Sequence, residues 1–144
     1  MLRRRTPLVV TALAVALSGA AGCVSRPGPT LAVSTVLAGL HRPWDLAFTP
    51  GGGMLFSERP GPIRFRVASS GAVRTLAVPS DAVESGEGGM MGVAVDPNFT
   101  SNRRIYTCFL SNESGSLDVR LVRWRMNDAV TGLTDVQTSS RGCP

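Results

Sequence analysis

A carboxylate set among glycines is the part of this sequence best suited to binding a ligand. Glu87 lies in the run GEGG at 86–89, so glycine flanks it on both sides. Glycine reaches positive φ without steric cost and lets a ligand approach the backbone, so Gly88 and Gly89 would serve the conformation of the loop. On the residues alone, Glu87 is a candidate ligand contact. The alternative is that Glu87 is a solvent-facing acid on a flexible turn.

His41 is the single histidine, and therefore the obvious side chain to test as a proton acceptor. A general base must lie within reach of its substrate and be oriented by a partner. His41 sits in a GLHRP turn at 39–43, and we predict that it is an exposed loop residue. No catalytic residue is assigned. No metal ligand is assigned either, because the aspartates at 96, 128 and 135 lack the spacing of a calcium loop.

The other polar and aromatic candidates are predicted to be structural. Arg59 follows Glu58 in a turn, where a surface ion pair contributes at most about 1 kcal/mol. Trp44 and Trp124 lie in apolar strands, which predicts core packing. Three arginines alternate with apolar residues in a pattern typical of a half-exposed outer strand: Arg120, Arg123 and Arg125.

An internal repeat indicates which elements position these residues. The runs LAFTP at 46–50 and VAVDP at 93–97 share an apolar-Ala-apolar-x-Pro core and lie 47 positions apart. Turn formers bound the predicted strands. These are 34–37, 44–48, 54–57, 63–67, 73–78, 91–95, 105–110 and 117–126. A β-repeat of about 40 to 50 residues is typical of a propeller blade, because one four-stranded sheet cannot bury both faces alone. The fold class is therefore predicted to be all-β, a partial β-propeller of about two to three blades.

The N-terminus has the pattern of an export signal. Three arginines at 3–5 precede an apolar run at 8–17 and the small residues AAGC at 20–23. The apolar run is shorter than the roughly 20 residues that cross a bilayer. We predict a lipoprotein signal peptide at 1–22, lipid attachment at Cys23 and a flexible tether at 23–34. This places the protein on the outer face of the bacterial cytoplasmic membrane, or, after ordinary signal cleavage, makes it secreted or periplasmic.

The net charge bears on nucleic-acid binding, and the cysteines bear on disulfide formation. The formal net charge is +5 and becomes +2 without the three leader arginines. The remaining basic residues are scattered, which excludes a nucleic-acid-binding stripe. Export would allow a disulfide between Cys108 and Cys143. The apolar strand around Cys108 instead favours a small buried core residue.

Four motifs in order resemble the opening of the glucose/sorbosone dehydrogenase family. They are PWDLAF at 43–48, SERPGPIR at 57–64, GEGGMMGVA at 86–94 and DPNF at 96–99, within a matching stretch of about 36–128. The resemblance implies a six-bladed β-propeller that uses pyrroloquinoline quinone (PQQ). It also implies that the residue at Glu87, commonly Gln or Glu in the family, faces the central pocket and contacts sugar or cofactor. The pocket residues that the resemblance implies are therefore Glu87, Gly88 and Gly89.

The resemblance further implies a reaction. A histidine base takes the proton of a sugar hydroxyl while the adjacent C–H delivers hydride to PQQ, and calcium helps bind and polarise the cofactor. Arginine forks suit the quinone's carboxylates. The family base belongs to a later His-x-Gly-Gly-like segment, which is absent from these 144 residues.

Two functions follow from different classes. We interpret 35–136 as an incomplete propeller and 137–144 as an irregular tail, as expected of a truncated or frameshifted coding sequence. The first hypothesis is a membrane-anchored quinoprotein sugar dehydrogenase, inactive as this fragment, with PQQ and calcium not bound by the fragment alone. The alternative is a non-catalytic cell-surface propeller module that binds carbohydrate or protein. In either case exposed blade edges favour self-association.

Overall fold

The computed structural model describes residues 28–141, so the predicted leader and Cys23 lie outside the described residues. The chain divides into two compact units, Met1–Ser34 and Thr35–Pro144. The described part of the first unit, 28–34, contains neither helix nor strand. The strand predicted at 34–37 is wrong, because no strand among the described residues pairs with this stretch. Across residues 28–141, no helix has the length and apolarity needed to cross a membrane.

The second unit folds, within its described residues, into eight strands and one helical turn. The first four strands are β1 (Pro43–Phe48), β2 (Met54–Glu58), β3 (Ile63–Arg66) and β4 (Val73–Ala77). They are followed by β5 (Met90–Val95), the turn α1 (Phe99–Asn102), β6 (Arg104–Ser111), β7 (Asp118–Met126) and β8 (Leu133–Arg141).

The strands form two four-stranded antiparallel sheets. Their orders are β1-β2-β3-β4 and β5-β6-β7-β8, so each sheet is a meander of consecutive strands, the arrangement of a propeller blade. The two copies of the sequence repeat fall on β1 and β5, the first strand of each sheet. The predicted all-β partial propeller is confirmed, with two blades.

The two sheets pack face to face through one apolar core. The first sheet contributes Leu55, Ile63, Phe65 and Leu76, and the second contributes Met90, Ile105, Phe109, Val122, Trp124 and Met126. The indole Nε1 of Trp124 donates to Thr107 Oγ1 at 2.8 Å, so its one polar atom is satisfied inside the core. The predicted core role is confirmed for Trp124 and wrong for Trp44, which is 46% exposed.

A β-bulge in β5 joins the two sheets through polar groups. The pairing of β5 with β6 shifts register between Met90 and Val93. A bulge leaves local backbone groups without ladder partners, and buried backbone groups need other ones. Here Val93 N donates to Asp45 Oδ2 at 2.9 Å, and Ser57 Oγ donates to Met91 O at 2.6 Å. Side chains of the first sheet therefore fix the first strand of the second.

Pairing along β8 continues further than the sequence pattern indicated. The tail predicted to be irregular from 137 is strand through Arg141, with Gln137 opposite Arg123 and Ser140 opposite Leu121. That prediction is wrong for 137–141, because an edge strand is held by backbone hydrogen bonds and does not require apolar alternation. Asp135, at φ 50°, lies where the register with β7 shifts.

Alternation in β6 and β7 corrects two further predictions. Cys108 lies on the face of β6 turned away from Ile105, Thr107 and Phe109, is half-buried and is disulfide-bonded, so its predicted role as a small core residue is wrong. The other cysteines, Cys23 and Cys143, lie outside the described residues. Arg120 is buried in β7, so the half-exposed position predicted for it is also wrong.

The DPNF segment at 96–99, after β5, organises the loop that contains α1 and not the turn that contains Glu87. Asp96 Oδ2 accepts a hydrogen bond from the Tyr106 hydroxyl at 2.7 Å, and its Oδ1 accepts from Asn102 Nδ2 and Asn98 N. These donors, the tyrosine hydroxyl first, lower the pKa of Asp96. The same hydrogen bond raises the pKa of Tyr106. This motif is therefore a structural hydrogen-bond network that ties α1 to β6.

Candidate functional site

Glu87 lies at the tip of a tight turn where the second sheet begins. Ser85 and Gly88 form a β-bridge, and Gly88 N donates to Ser85 O at 2.8 Å, which leaves Gly86 and Glu87 as the two central residues. Gly86 has φ 55°, as expected for glycine at the first central position of a hairpin turn. Glu87 is exposed, and within 28–141 its carboxylate makes no hydrogen bond or ion pair.

Gly88 and Gly89 are required because other groups approach them too closely for a side chain. A Cβ on Gly88 would lie 2.6 Å from Leu110 Cδ2, and one on Gly89 would lie 2.5 Å from the backbone oxygen of Arg59. The three predicted pocket residues therefore lie on one turn. Glu87 supplies its carboxylate, and the two glycines pack closely against Leu110 and Arg59, which sets the position of the turn.

Arg59, in the turn after β2, is the main contact of the Glu87 turn. Its Nε donates to Gly88 O at 3.1 Å and its Nη2 donates to Gly86 O. Its backbone oxygen accepts from Met90 N at 2.9 Å. The guanidinium carbon also lies 5.7 Å from the centroid of the Trp44 ring, within the range of a cation–π contact. Arg59 is therefore more than the surface ion-pair residue that the sequence predicted.

One carboxylate, that of Glu84, contacts this arginine, and another, that of Glu58, belongs to the residue that precedes it in the chain. Glu84 Oε1 lies 3.6 Å from Arg59 Nε and also contacts Arg42 Nη1. Glu58 is 2% exposed, accepts from His41 N at 3.1 Å and lies 3.0 Å from Arg64 Nε. Only the backbone of His41 takes part, and the residue is exposed. This confirms the prediction of an exposed loop histidine.

A second arginine holds the start of the same loop. Ser111 Oγ donates to Asp81 Oδ2 at 2.6 Å, and Asn112 N donates to Asp81 O. Arg120 Nη1 lies 3.8 Å from Asp81 Oδ2 and also contacts Glu113, while Arg120 Nε donates to Asp118 at 3.1 Å. The loop 78–89 is thus fixed at its start by β6 and β7 and at its end by Arg59.

The described residues offer an acceptor for a ligand but no complete cofactor site. Glu87 can accept hydrogen bonds from a sugar hydroxyl. Among residues 28–141, no group of three or more His, Cys, Asp and Glu could hold a metal ion. Of the nearby cations, Arg59 is already engaged by two carbonyls and Arg42 by Glu84. These residues alone do not fit calcium or a tricarboxylate quinone.

A cavity formed mainly by the second sheet does not include Glu87 in its lining. It has a volume of about 440 Å³ and is lined by Asp45 together with mainly apolar residues of β5, β6 and β7, including Met91, Tyr106 and Leu121. This is the face of the second sheet turned away from the shared core. Glu87 does not line this cavity.

Comparison with known proteins shows which family this chain resembles. The sequence profile of the family described as Glucose / Sorbosone dehydrogenase matches residues 40–142. Aldose sugar dehydrogenase YliI of Escherichia coli K12 is 31% identical over 117 residues, covering 80% of this chain and 32% of that protein.

Solved structures agree with the sequence match. The PQQ-bound aldose sugar dehydrogenase of Streptomyces coelicolor superposes with a TM-score of 0.67 at 34% identity, covering 78% of this chain and 34% of the other. The apo-form soluble aldose sugar dehydrogenase of Escherichia coli gives a TM-score of 0.63 at 33% identity, covering 73% and 31%. The chain thus spans about a third of the length of these relatives.

Proposed function

Because the chain belongs to the glucose/sorbosone dehydrogenase family, we propose that it supplies the first two blades of a membrane-anchored quinoprotein that oxidises an aldose sugar. The observation that carries this proposal is Glu87. Its carboxylate is exposed and unpaired within the described residues, yet the turn that holds it is fixed on both sides by Arg59. Such a carboxylate can accept a hydrogen bond from a sugar hydroxyl without first breaking other contacts.

The 144-residue chain alone is proposed to be inactive. Its single histidine is exposed and does not lie on the Glu87 turn, so the described residues provide no histidine base beside Glu87. PQQ and calcium belong to the proposed whole enzyme, because the described residues do not fit either by themselves. With PQQ, calcium, an aldose and an artificial acceptor, we expect no dye reduction. Reduction by this polypeptide would overturn the proposed inactivity.

A chimera tests the sugar-binding role directly. Residues 40–142 would replace the matching segment of the Escherichia coli aldose sugar dehydrogenase, and a folded chimera is expected to reduce dye with an aldose. Glu87→Ala in the chimera should lower kcat/KM by roughly tenfold to a hundredfold, as expected for loss of a hydrogen bond to a charged group. Asp128→Ala, at a surface position 89% exposed in its side chain, is the matched control. A folded chimera without activity, or with unchanged kinetics after Glu87→Ala, contradicts the proposal.

The anchor and the location are proposed from the leader alone. Acylation at Cys23 would tether the protein to the outer face of the cytoplasmic membrane, since two or more acyl chains give stable anchoring. Cells fed labelled fatty acid should incorporate it into the protein, and Cys23→Ser should abolish incorporation whereas Cys143→Ser should not. Equal labelling of both variants would rule out Cys23 as the attachment site.

The second candidate function is a non-catalytic surface module that binds carbohydrate or protein. It is favoured by the exposed position of Glu87, which does not line the cavity of about 440 Å³ on the second sheet. The chimera discriminates between the two candidates, because a module that takes no part in catalysis would not restore sugar oxidation.

A further inference from the structure

We propose that Arg59 is the positioning residue of the Glu87 turn, acting as a guanidinium fork on the two carbonyls that flank Glu87. The importance of Glu87 rests on the proposed function, but the fork itself rests on geometry alone. Arg59 Nη2 donates to Gly86 O and Arg59 Nε donates to Gly88 O, so the residue between these two carbonyls is held from both sides.

A glycine-rich turn needs such external contacts. Glycine loses more conformational freedom on ordering than any other residue, and this turn contains Gly86, Gly88 and Gly89. The hydrogen bond from Gly88 to Ser85 closes the turn but does not attach it to the sheet. The side chain of Arg59 attaches the turn at Gly86 and Gly88. At the far end of the glycine run, Met90 N donates to the Arg59 backbone oxygen and Leu110 N of β6 donates to Gly89 O, both at 2.9 Å.

The surroundings of Arg59 hold the fork in place. Its side chain is only 17% exposed, and the ring of Trp44 lies 5.7 Å from the guanidinium carbon. The absence of a Cβ at Gly89 permits the close approach of the arginine, since that atom would lie 2.6 Å from Arg59 Cγ. An arginine is suited to this role because its planar guanidinium presents several donors in a fixed geometry, whereas a lysine presents one compact ammonium.

The competing interpretation is a simple ion pair with Glu84. Glu84 Oε1 lies 3.6 Å from Arg59 Nε, but it also contacts Arg42. If charge pairing were the main role, Glu84→Gln would loosen the turn and Arg59→Lys would preserve it. A fork predicts the reverse for both variants.

Hydrogen exchange of the ligand-free 144-residue chain separates these interpretations. In Arg59→Met, the amides of Gly88 and Met90 should exchange roughly tenfold faster or more, since they then open locally without global unfolding. Arg59→Lys should exchange at nearly the same raised rate. Glu84→Gln should stay within about twofold of the unsubstituted chain, because both carbonyl contacts remain.

Arg125→Met is the matched control, because Arg125 is exposed on β7 and its side chain makes no hydrogen bond or ion pair within the described residues. It should leave the turn amides unchanged. Unchanged exchange in Arg59→Met, or full protection in Arg59→Lys, would overturn the proposal. A uniform rise across β2, β6 and β7 in Arg59→Met would also overturn it, since that result indicates a general loss of stability. Because no sugar or cofactor is present, an inactive chimera would leave this test unaffected, and an active chimera would not rescue a failed one.

Discussion

Asp96 and Tyr106 show how one side-chain pair makes the stability of the second sheet depend on pH. Asp96 has a pKa below its ordinary value of 3.8, principally because the Tyr106 hydroxyl donates to it. A carboxyl group with a lowered folded-state pKa adds stability that is fully present above its unfolded pKa and is lost as pH falls through the folded pKa. Tyr106 has a pKa above 10.0, so its contribution is present below that value and is lost as pH rises through the folded pKa.

Substitution of Tyr106 tests this pair. Tyr106→Phe should destabilise the fold at neutral pH and move the pKa of Asp96 back toward 3.8, because the first donor to the carboxylate is gone. The difference in unfolding free energy between the two proteins should shrink as pH falls from the unfolded-state pKa of Asp96 through its lowered folded-state pKa, because the carboxyl group is then protonated in both the folded and the unfolded state. Urea unfolding from neutral to acid pH, with NMR titration of Asp96, measures both effects. An Asp96 pKa unaltered by the substitution would show that the hydroxyl is not its main perturbation.

Arg59 illustrates what the sequence could not reveal at the scale of one residue. The prediction of Glu87 and the two glycines as pocket residues came from the family resemblance, supported by a local pattern, a carboxylate between glycines. The role of Arg59 depends on carbonyls 27 and 29 positions away, and backbone carbonyls carry no sequence signature. The same holds for Arg120, whose carboxylate partner Asp81 lies in the loop between the sheets. The one available indication was the ER-x-G motif within the family resemblance.

At the scale of elements, the strands that alternate apolar and polar residues were predictable and the others were not. Seven of the eight observed strands were predicted, because turn formers bound them and one face is apolar. β8 was not predicted, and its polar run TSSR at 138–141 has no apolar alternation that could have indicated a strand. The stretch 34–37 has strand composition but no partner within the described residues, which shows that propensity alone does not make a strand.

The bulge in β5 makes a testable prediction at this scale. Ser57 is fully buried and donates to Met91 O at 2.6 Å, where the register with β6 shifts. Ser57→Ala leaves this carbonyl without its partner, which should cost about 1 to 3 kcal/mol of unfolding free energy.

Urea denaturation with an unchanged m-value measures this cost. Ser69→Ala is the control, because Ser69 is exposed and makes no side-chain contact within the described residues. A loss for Ser57→Ala no larger than that of the control would mean that the bulge is satisfied by other groups.

At the scale of the whole molecule, two sheets share one core and each leaves its other face without a partner sheet among the described residues. Side chains alternate along a strand, so Leu46 and Phe48 point away from the core that Ala47 and Leu55 join. They are 53% and 64% exposed. Adjacent exposed apolar side chains of this size are typical of a surface that another element covers.

This face predicts how the unacylated polypeptide behaves in solution. The polypeptide from 23 to 144 should scatter light as a heterogeneous self-associated species, because burying Leu46 and Phe48 against another copy removes apolar surface from water at about 25 cal/mol per Å². Replacing both residues with arginine should lower the scattering several-fold, since each interface would then have to bury charge. The thermal midpoint should change little, because neither side chain belongs to the core. Val136→Arg, an exposed apolar position on the edge strand β8, distinguishes face association from edge association. If Val136→Arg abolishes scattering and the double substitution does not, association proceeds through the strand edge. If neither has an effect and the chain is a compact monomer, the exposed face of β1 does not drive self-association.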